Sequence, residues 1–199
     1  SSDVCSSDLV FVVLLPGPVS WFSAILALSF GAVFGREIFG GRAILPPALI
    51  GLTFAIFSFP DAGYELQRIF EQPSNFMLAA SCLPGALVLI LKNLIFWRVI
   101  AGALICPLAI GLLFGDAGWE RHLVLGAFAP GLLFLGAAPE GILWRHATQL
   151  AYGFLIGALI ILIRTTDPTH SDGIVFAILI AGLFAPLLDR VLNWRAVRD

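Results

Sequence analysis

The feature that most constrains this chain is a series of apolar stretches, each close to the length of a membrane-crossing helix and separated by short polar turns. A helix needs about 20 apolar residues to cross a bilayer, and roughly 17 at the short end. An apolar remnant at 10–15 precedes seven candidate spans, some of them short. The seven are residues 19–34, 46–59, 76–91, 95–114, 122–138, 150–163 and 173–188, with 147 as an alternative start of the sixth.

Composition excludes a water-soluble domain. Hydrophobic residues make up 59% of the 199 residues and charged residues only 12%, against roughly 25% charged in soluble domains. The net charge of −2 gives no basic footprint for nucleic acid. The three cysteines and three histidines have no disulfide or metal-ligand spacing, and no nucleophile triad or phosphate-binding glycine motif occurs. The sequence therefore predicts no catalytic residue and no metal site, and at most an accessory role in an enzyme.

Proline and glycine recur inside the apolar stretches, and they indicate how regular and how closely packed the helices are. Proline within a span frees a backbone carbonyl that neighbouring helices or water must satisfy. The 20 glycines suit either tight helix packing or a transporter-like core of discontinuous helices. We expect an all-α, polytopic transmembrane helix bundle with short or Pro/Gly-broken helices, comprising about seven spans plus an N-terminal remnant.

The basic residues predict the orientation in the membrane, because cytoplasmic loops are enriched in Lys and Arg. With the C-terminus in the cytoplasm, eight of the eleven basic residues fall inside. The inside set is Arg36, Arg42, Lys92, Arg98, Arg145, Arg190, Arg195 and Arg198, and the outside set is Arg68, Arg121 and Arg164. We expect a multi-pass protein with a cytoplasmic C-terminus.

Residues 1–9 differ in character from the rest of the chain. They are polar and aperiodic, and the string VCSSDL resembles the translation of a sequencing-adapter sequence. We expect 1–9 to be non-native and 10–199 to form a single transmembrane domain.

Three stretches resemble a known family. They are FGAVFGREIFGGRAILPPALIG at 30–51, WRVIAG at 97–102, and residues 122–189, which include YGFLIGALIILIR and AILIAGLFAPLLDR. They are similar to the NqrB/RnfD family of membrane proteins, which serves both the sodium-pumping NADH:quinone oxidoreductase (Nqr) and the Rnf complex. The resemblance covers nearly everything after Val10, and the last block is its most specific part.

The resemblance implies about ten helices in two related halves, with this chain as the C-terminal part. It also implies a bacterial inner-membrane complex in which flavins and iron–sulfur centres on partner subunits drive Na⁺ or H⁺ transport. The expected partners are therefore other Nqr- or Rnf-type subunits, the lipid bilayer, and Na⁺ or H⁺.

Two departures from the family pattern shape these expectations. Family members usually carry FMN on a threonine of an S-G-A-T motif, whereas the corresponding loop here, 61–75, has no threonine and the chain has no S-G-A-T. We therefore expect no cofactor in this chain. Many members also have an Asp-Pro pair where this chain has Ala138-Pro139 followed by Glu140. Glu140 could replace the lost carboxylate, but one residue turns a helix face by roughly 100°.

The remaining candidates for an ion pathway or docking site lie near predicted membrane boundaries. Asp189 matches the family position that closes the last helix, and it is either a cation entry or exit carboxylate or part of an interfacial ion pair with an arginine. A second group forms either a re-entrant turn along the pathway or an ordinary cytoplasmic loop. That group is Glu37, Gly40, Gly41 and Arg42.

Three functions remain open at this point. The first is a membrane subunit of an Nqr/Rnf-like ion-translocating complex, without covalent flavin, that contributes to the ion pathway and to partner docking. The second is a stand-alone channel or transporter for a small solute or ion with the same fold. The third is a degenerate scaffold that keeps only its packing residues.

Overall fold

The computed structural model describes residues 11–12, 20–38, 45–59, 84–92, 95–114, 131–136, 146–166 and 173–194. Every secondary-structure element in these ranges is a helix. The five longest are α1 (Trp21–Ala32), α2 (Pro47–Ser58), α3 (Trp97–Phe114), α4 (His146–Thr166) and α5 (Gly173–Trp194). Two π-helical turns, Val33–Glu37 and Leu132–Gly136, and helical residues 84–91 accompany them.

Helices α1 and α2 pack as a pair whose backbones approach closely. Ser20 caps α1 by accepting from the Ser23 amide, and Pro47 occupies the first position of α2, where no amide donor is needed. A Cβ on Gly31 would overlap the Pro47 carbonyl oxygen and lie 2.9 Å from the Gly51 nitrogen. This contact therefore requires glycine on α1.

Helices α3 and α4 form a second close pair. A Cβ on Gly102 would meet the Leu150 carbonyl at 2.5 Å, and one on Gly153 would overlap the Val99 carbonyl. Pro107 lies inside α3, so the carbonyl four residues earlier, on Ala103, loses its in-helix donor. A Cβ on Gly157 would lie 2.6 Å from that same oxygen, so α4 covers the freed carbonyl with glycine.

Helix α5 completes the core by packing against α4 and α2. It runs antiparallel to α4, because its first residues lie near the end of α4 and its last residues near the start. Its buried side chains include Ile174 and Ile178, which join Ile156 and Ile160 of α4 in one apolar cluster. The second π turn closes this cluster, because a Cβ on Gly136 would touch both Ile178 and Ile156.

The described helices confirm the all-helical prediction and fit a membrane helical protein. Two of them are long and apolar enough to cross a bilayer, His146–Ile163 and Gly173–Leu192, and two shorter apolar helices are Pro47–Ser58 and Trp97–Ala109. The expected number of spans stays a prediction. Large apolar side chains such as Trp21, Phe57 and Leu183 are exposed, as lipid contact or further helices would require.

Two predicted spans have different bounds in the structure. The last span was expected to end at 188, yet α5 continues through Asp189 to Trp194. The preceding span was expected to begin at 150, or at 147, and to end at 163, yet α4 begins at His146 and ends at Thr166. Polar residues mark where hydropathy falls, but they do not break a helix when hydrogen bonding can continue.

Candidate functional site

The described residue that best matches the predicted ion pathway is Asp189, and the structure places it against the start of α4. The Thr148 hydroxyl donates to Asp189 Oδ1 at 3.0 Å, across 41 residues of sequence. Thr148 is fully buried, whereas the Asp189 side chain is partly exposed. One carboxylate oxygen is thus held by the protein at a site that the surroundings can still reach.

Helix electrostatics explain why a carboxylate is tolerated here. Asp189 lies five residues before the end of α5, near the negative end of its own helix dipole. Thr148 is the third residue of α4, so the positive N-terminal end of α4 faces the carboxylate and offsets this. Within the described ranges, Asp189 pairs with Thr148 and with no arginine, so the ion pair considered from the sequence does not form there.

The contact between α4 and α5 carries further polar groups one turn deeper in the bundle. Tyr152 is buried and follows Thr148 by four residues, on the same face of α4. Its hydroxyl lies 4.0 Å from the Cβ position of Gly182. Pro186 lies inside α5, so the Gly182 carbonyl is the one that loses its in-helix donor. The Asp189 carboxylate, the Tyr152 hydroxyl and the Gly182 carbonyl therefore all belong to the contact between α4 and α5.

Leu45 packs against Gly182 at the side of this contact. It is buried, and a Cβ on Gly182 would overlap its Cδ2 atom. Leu45 precedes the Pro46-Pro47 start of α2, so the double-proline element reaches the contact between α4 and α5. We call the set Thr148, Tyr152, Gly182 and Asp189 the α4–α5 polar seam.

Glu37 is the other sequence candidate within the described residues, and it does not belong to this seam. Glu37 ends the first π turn with an exposed side chain, and the turn is anchored by Gly35, which lies against Pro47. Gly40, Gly41, Arg42 and Glu140 lie outside the described residues. Their roles therefore stay predictions.

The described threonine hydroxyls are engaged within the protein, which bears on whether one of them could carry a flavin phosphate. Thr53 donates to the Leu49 carbonyl, and Thr165 and Thr166 both donate to the Leu162 carbonyl, while Thr148 is committed to Asp189. These threonines do not fit an S-G-A-T attachment site, and the loop at 61–75 lies outside the described residues.

The described part of the chain also holds no group of three or more His, Cys, Asp or Glu side chains that could bind a metal. A site for a weakly held cation such as Na⁺ would draw instead on single carboxylate, hydroxyl and carbonyl oxygens. The sequence marks Asp189 as a candidate. It does not mark Thr148, which lies where the predicted loop meets the predicted span, or Tyr152, which lies in an apolar run.

Comparison with known proteins agrees with this architecture. The model of the NQR2, RnfD, RnfE family matches residues 74–198, more than half of the chain. The NqrB protein of the Na⁺-translocating NADH-quinone reductase of Pseudomonas paraeruginosa is 30% identical over 232 aligned positions, covering 92% of this chain and 58% of that protein. Its counterpart in Yersinia pestis is 30% identical over 239 positions, covering 94% and 58%. The chain thus spans 58% of the length of these relatives, and it belongs to the NQR2, RnfD, RnfE family.

Proposed function

We propose that this chain is a membrane subunit of an Nqr/Rnf-like complex that couples electron transfer to transport of Na⁺ or H⁺. The relatives named above are subunits of a Na⁺-translocating NADH-quinone reductase, and family membership supports a related assembly here. The chain would sit in the bacterial cytoplasmic membrane with about seven spans and its C-terminus in the cytoplasm.

The observation that carries the role within the complex is the Asp189–Thr148 pair. A carboxylate in a membrane-embedded position is costly without a partner, and such residues commonly line ion paths. Among the described residues, the Thr148 hydroxyl is the hydrogen-bond partner of Asp189, and the start of α4 adds the positive end of a helix dipole. Asp189 would receive the cation at the cytoplasmic end of the path, and the oxygens near Tyr152 and Gly182 would continue the path inward.

The proposal includes no covalent flavin on this subunit. Its contribution would be part of the ion path and the docking of redox partners. Glu37, Gly40, Gly41, Arg42 and Glu140 are the further candidates for these two tasks.

Complex membership is tested by affinity purification of the tagged full-length protein from its own membranes. We expect Nqr- or Rnf-type subunits to copurify in fixed ratio, and redox-driven ion uptake after reconstitution. A preparation that contains the tagged protein alone, yet still transports ions without electron flow, would favour a stand-alone channel or transporter. The observation that favours a stand-alone channel or transporter is the absence of an S-G-A-T motif from the sequence.

The cofactor part is tested by in-gel flavin fluorescence of the denatured full-length protein, coexpressed with a flavin transferase. We expect a dark band. A fluorescent band would identify an attachment residue other than an S-G-A-T threonine and would give the subunit an electron-carrying role.

A further inference from the structure

Arg98, the second residue of α3, is a cation without a partner among the described residues. Its Nη1 atom is removed from solvent and has no hydrogen-bond partner. The acidic residues within the described ranges are Glu37 and Asp189, and neither pairs with Arg98 there. The remaining contact is with the Trp97 ring, whose centroid lies 5.3 Å from the guanidinium carbon.

The position of Arg98 in its helix makes the unpaired charge less favourable still. Helix α3 begins at Trp97, so Arg98 lies at the positive end of the helix dipole, where a cation is disfavoured and an anion is favoured. Lys92 is exposed at the end of helical residues 84–91. Leu89 of that helix, Ile95 just before α3 and Ile100 of α3 share one apolar cluster, so Lys92 adds a second positive charge in the segment that leads into α3.

The surface beside this charge is apolar and follows one face of α3. Trp97 is 52% exposed, and Leu104, Ile105 and Leu108 are also exposed. Their spacing from Trp97 places them on a single stripe running away from the charged end. Exposed tryptophan at such a boundary is typical of the membrane interface.

We propose that Arg98, supported by Lys92, binds the phosphate of an anionic phospholipid, whose acyl chain lies along the Trp97–Leu108 stripe. Arg98 is half-buried rather than enclosed, and the accessible N–H groups of its guanidinium are planar donors that fit phosphate oxygens. The stripe supplies the surface for a hydrocarbon chain. A partner protein could supply a carboxylate and cover the stripe as well, and the release of a partner subunit in the test below separates that occupant from a lipid. The site is separate from the α4–α5 polar seam, so it stands whether or not the ion pathway does.

The test is native mass spectrometry of the full-length protein, in its complex where one is isolated, with phosphatidylglycerol or phosphatidylcholine. We expect the wild type to retain phosphatidylglycerol selectively. Arg98→Gln should lower this retention about tenfold, as expected for loss of a charge-assisted hydrogen bond. Arg190→Gln is the matched control, because Arg190 is an exposed arginine on another helix, and it should leave retention nearly unchanged.

Several outcomes would overturn the proposal. Equal retention of the two lipids by the wild type would show that no site selects the anionic headgroup. Equal losses of phosphatidylglycerol in Arg98→Gln and Arg190→Gln would show only a general attraction between the positive charges of the protein and an anionic lipid. Displacement of phosphatidylglycerol by inorganic phosphate would indicate a free-phosphate site instead. Release of a partner subunit by Arg98→Gln with lipid retention unchanged would assign the arginine to a protein interface.

A second measurement covers the case in which Arg98→Gln does not fold. The thermal unfolding temperature of the wild type is measured in detergent with each lipid added. We expect phosphatidylglycerol to raise it more than phosphatidylcholine does, and Arg98→Lys to weaken the difference. An equal effect of the two lipids on the wild type would contradict the proposal without any variant.

Discussion

Helix α4 makes two contacts of opposite character. Toward α3 it presents Gly153 and Gly157, which lie directly on the carbonyls of Val99 and Ala103. Toward α5 it presents Thr148 and Tyr152, which face polar groups and a glycine of α5. The α3–α4 contact is tight because the glycines have no side chain beyond a hydrogen atom. The α4–α5 contact instead contains the oxygen atoms of the α4–α5 polar seam.

The two faces of α4 therefore have different roles: one packs the helix against α3, and the other carries polar groups toward α5. Close backbone approach gives extensive van der Waals contact in a bilayer, where no hydrophobic force drives helices together. The α3–α4 contact can therefore hold α4 in place. The α4–α5 contact can then include polar groups, which are costly in a membrane and are retained where they serve transport.

The largest effect is expected from disrupting the tight contact between α3 and α4. Gly153→Ala places a Cβ on the Val99 carbonyl, a backbone atom that cannot move without shifting α3. We expect a loss of about 3 kcal/mol in the free energy of unfolding, at the upper end for overpacking. Chemical unfolding of the full-length protein in detergent micelles measures it.

Gly85→Ala is the control for that substitution. A Cβ on Gly85 would meet no atom within 4 Å, so we expect no loss and a gain of up to about 1 kcal/mol from the better helix former. Equal destabilisation by both variants would show that the α3–α4 contact is less tight than described.

The next effect concerns the polar side. Thr148→Val keeps the shape of the side chain and removes the hydroxyl that Asp189 accepts from. We expect destabilisation of about 1 kcal/mol, reduced from the value for a buried charged pair because Asp189 is partly exposed. Thr148→Ser should restore most of it.

A double-mutant cycle separates this pair from nonspecific damage. Thr148→Val and Asp189→Ala each remove the contact, and they should be non-additive in the free energy of unfolding, by about 0.5 kcal/mol or more. Additive effects would mean that the 3.0 Å contact contributes nothing in the membrane.

A glycine on the polar side sharpens the contrast between the two contacts of α4. Gly182→Ala also introduces an overlap, but with the Cδ2 atom of Leu45 rather than with backbone. Because a side-chain end can rotate away, we expect a cost of only about 1 kcal/mol. Leu45→Ala in the same protein should recover part of that cost, whereas a Gly182→Ala variant as unstable as Gly153→Ala would remove the distinction.

Much of the helical framework could be predicted from hydropathy, since the stretches 46–59 and 95–114 correspond closely to α2 and α3. Asp189 could be found because it sits in a family-like motif at the end of an apolar run. Thr148 could not, because His146, Thr148 and Gln149 look like a polar loop. Its role depends on α4 starting at His146 and on a contact 41 residues away, which no local pattern contains.

The most direct test of the account is the number of ions taken up per electron transferred by the reconstituted complex, compared between wild type and Asp189→Asn. Asn keeps an acceptor for Thr148 and removes the negative charge. We predict that ion uptake per electron falls about tenfold, the loss expected when a cation loses its charged partner. An unchanged ratio at an unchanged rate of electron transfer would contradict the account and would leave the α4–α5 polar seam as a structural feature of a scaffold.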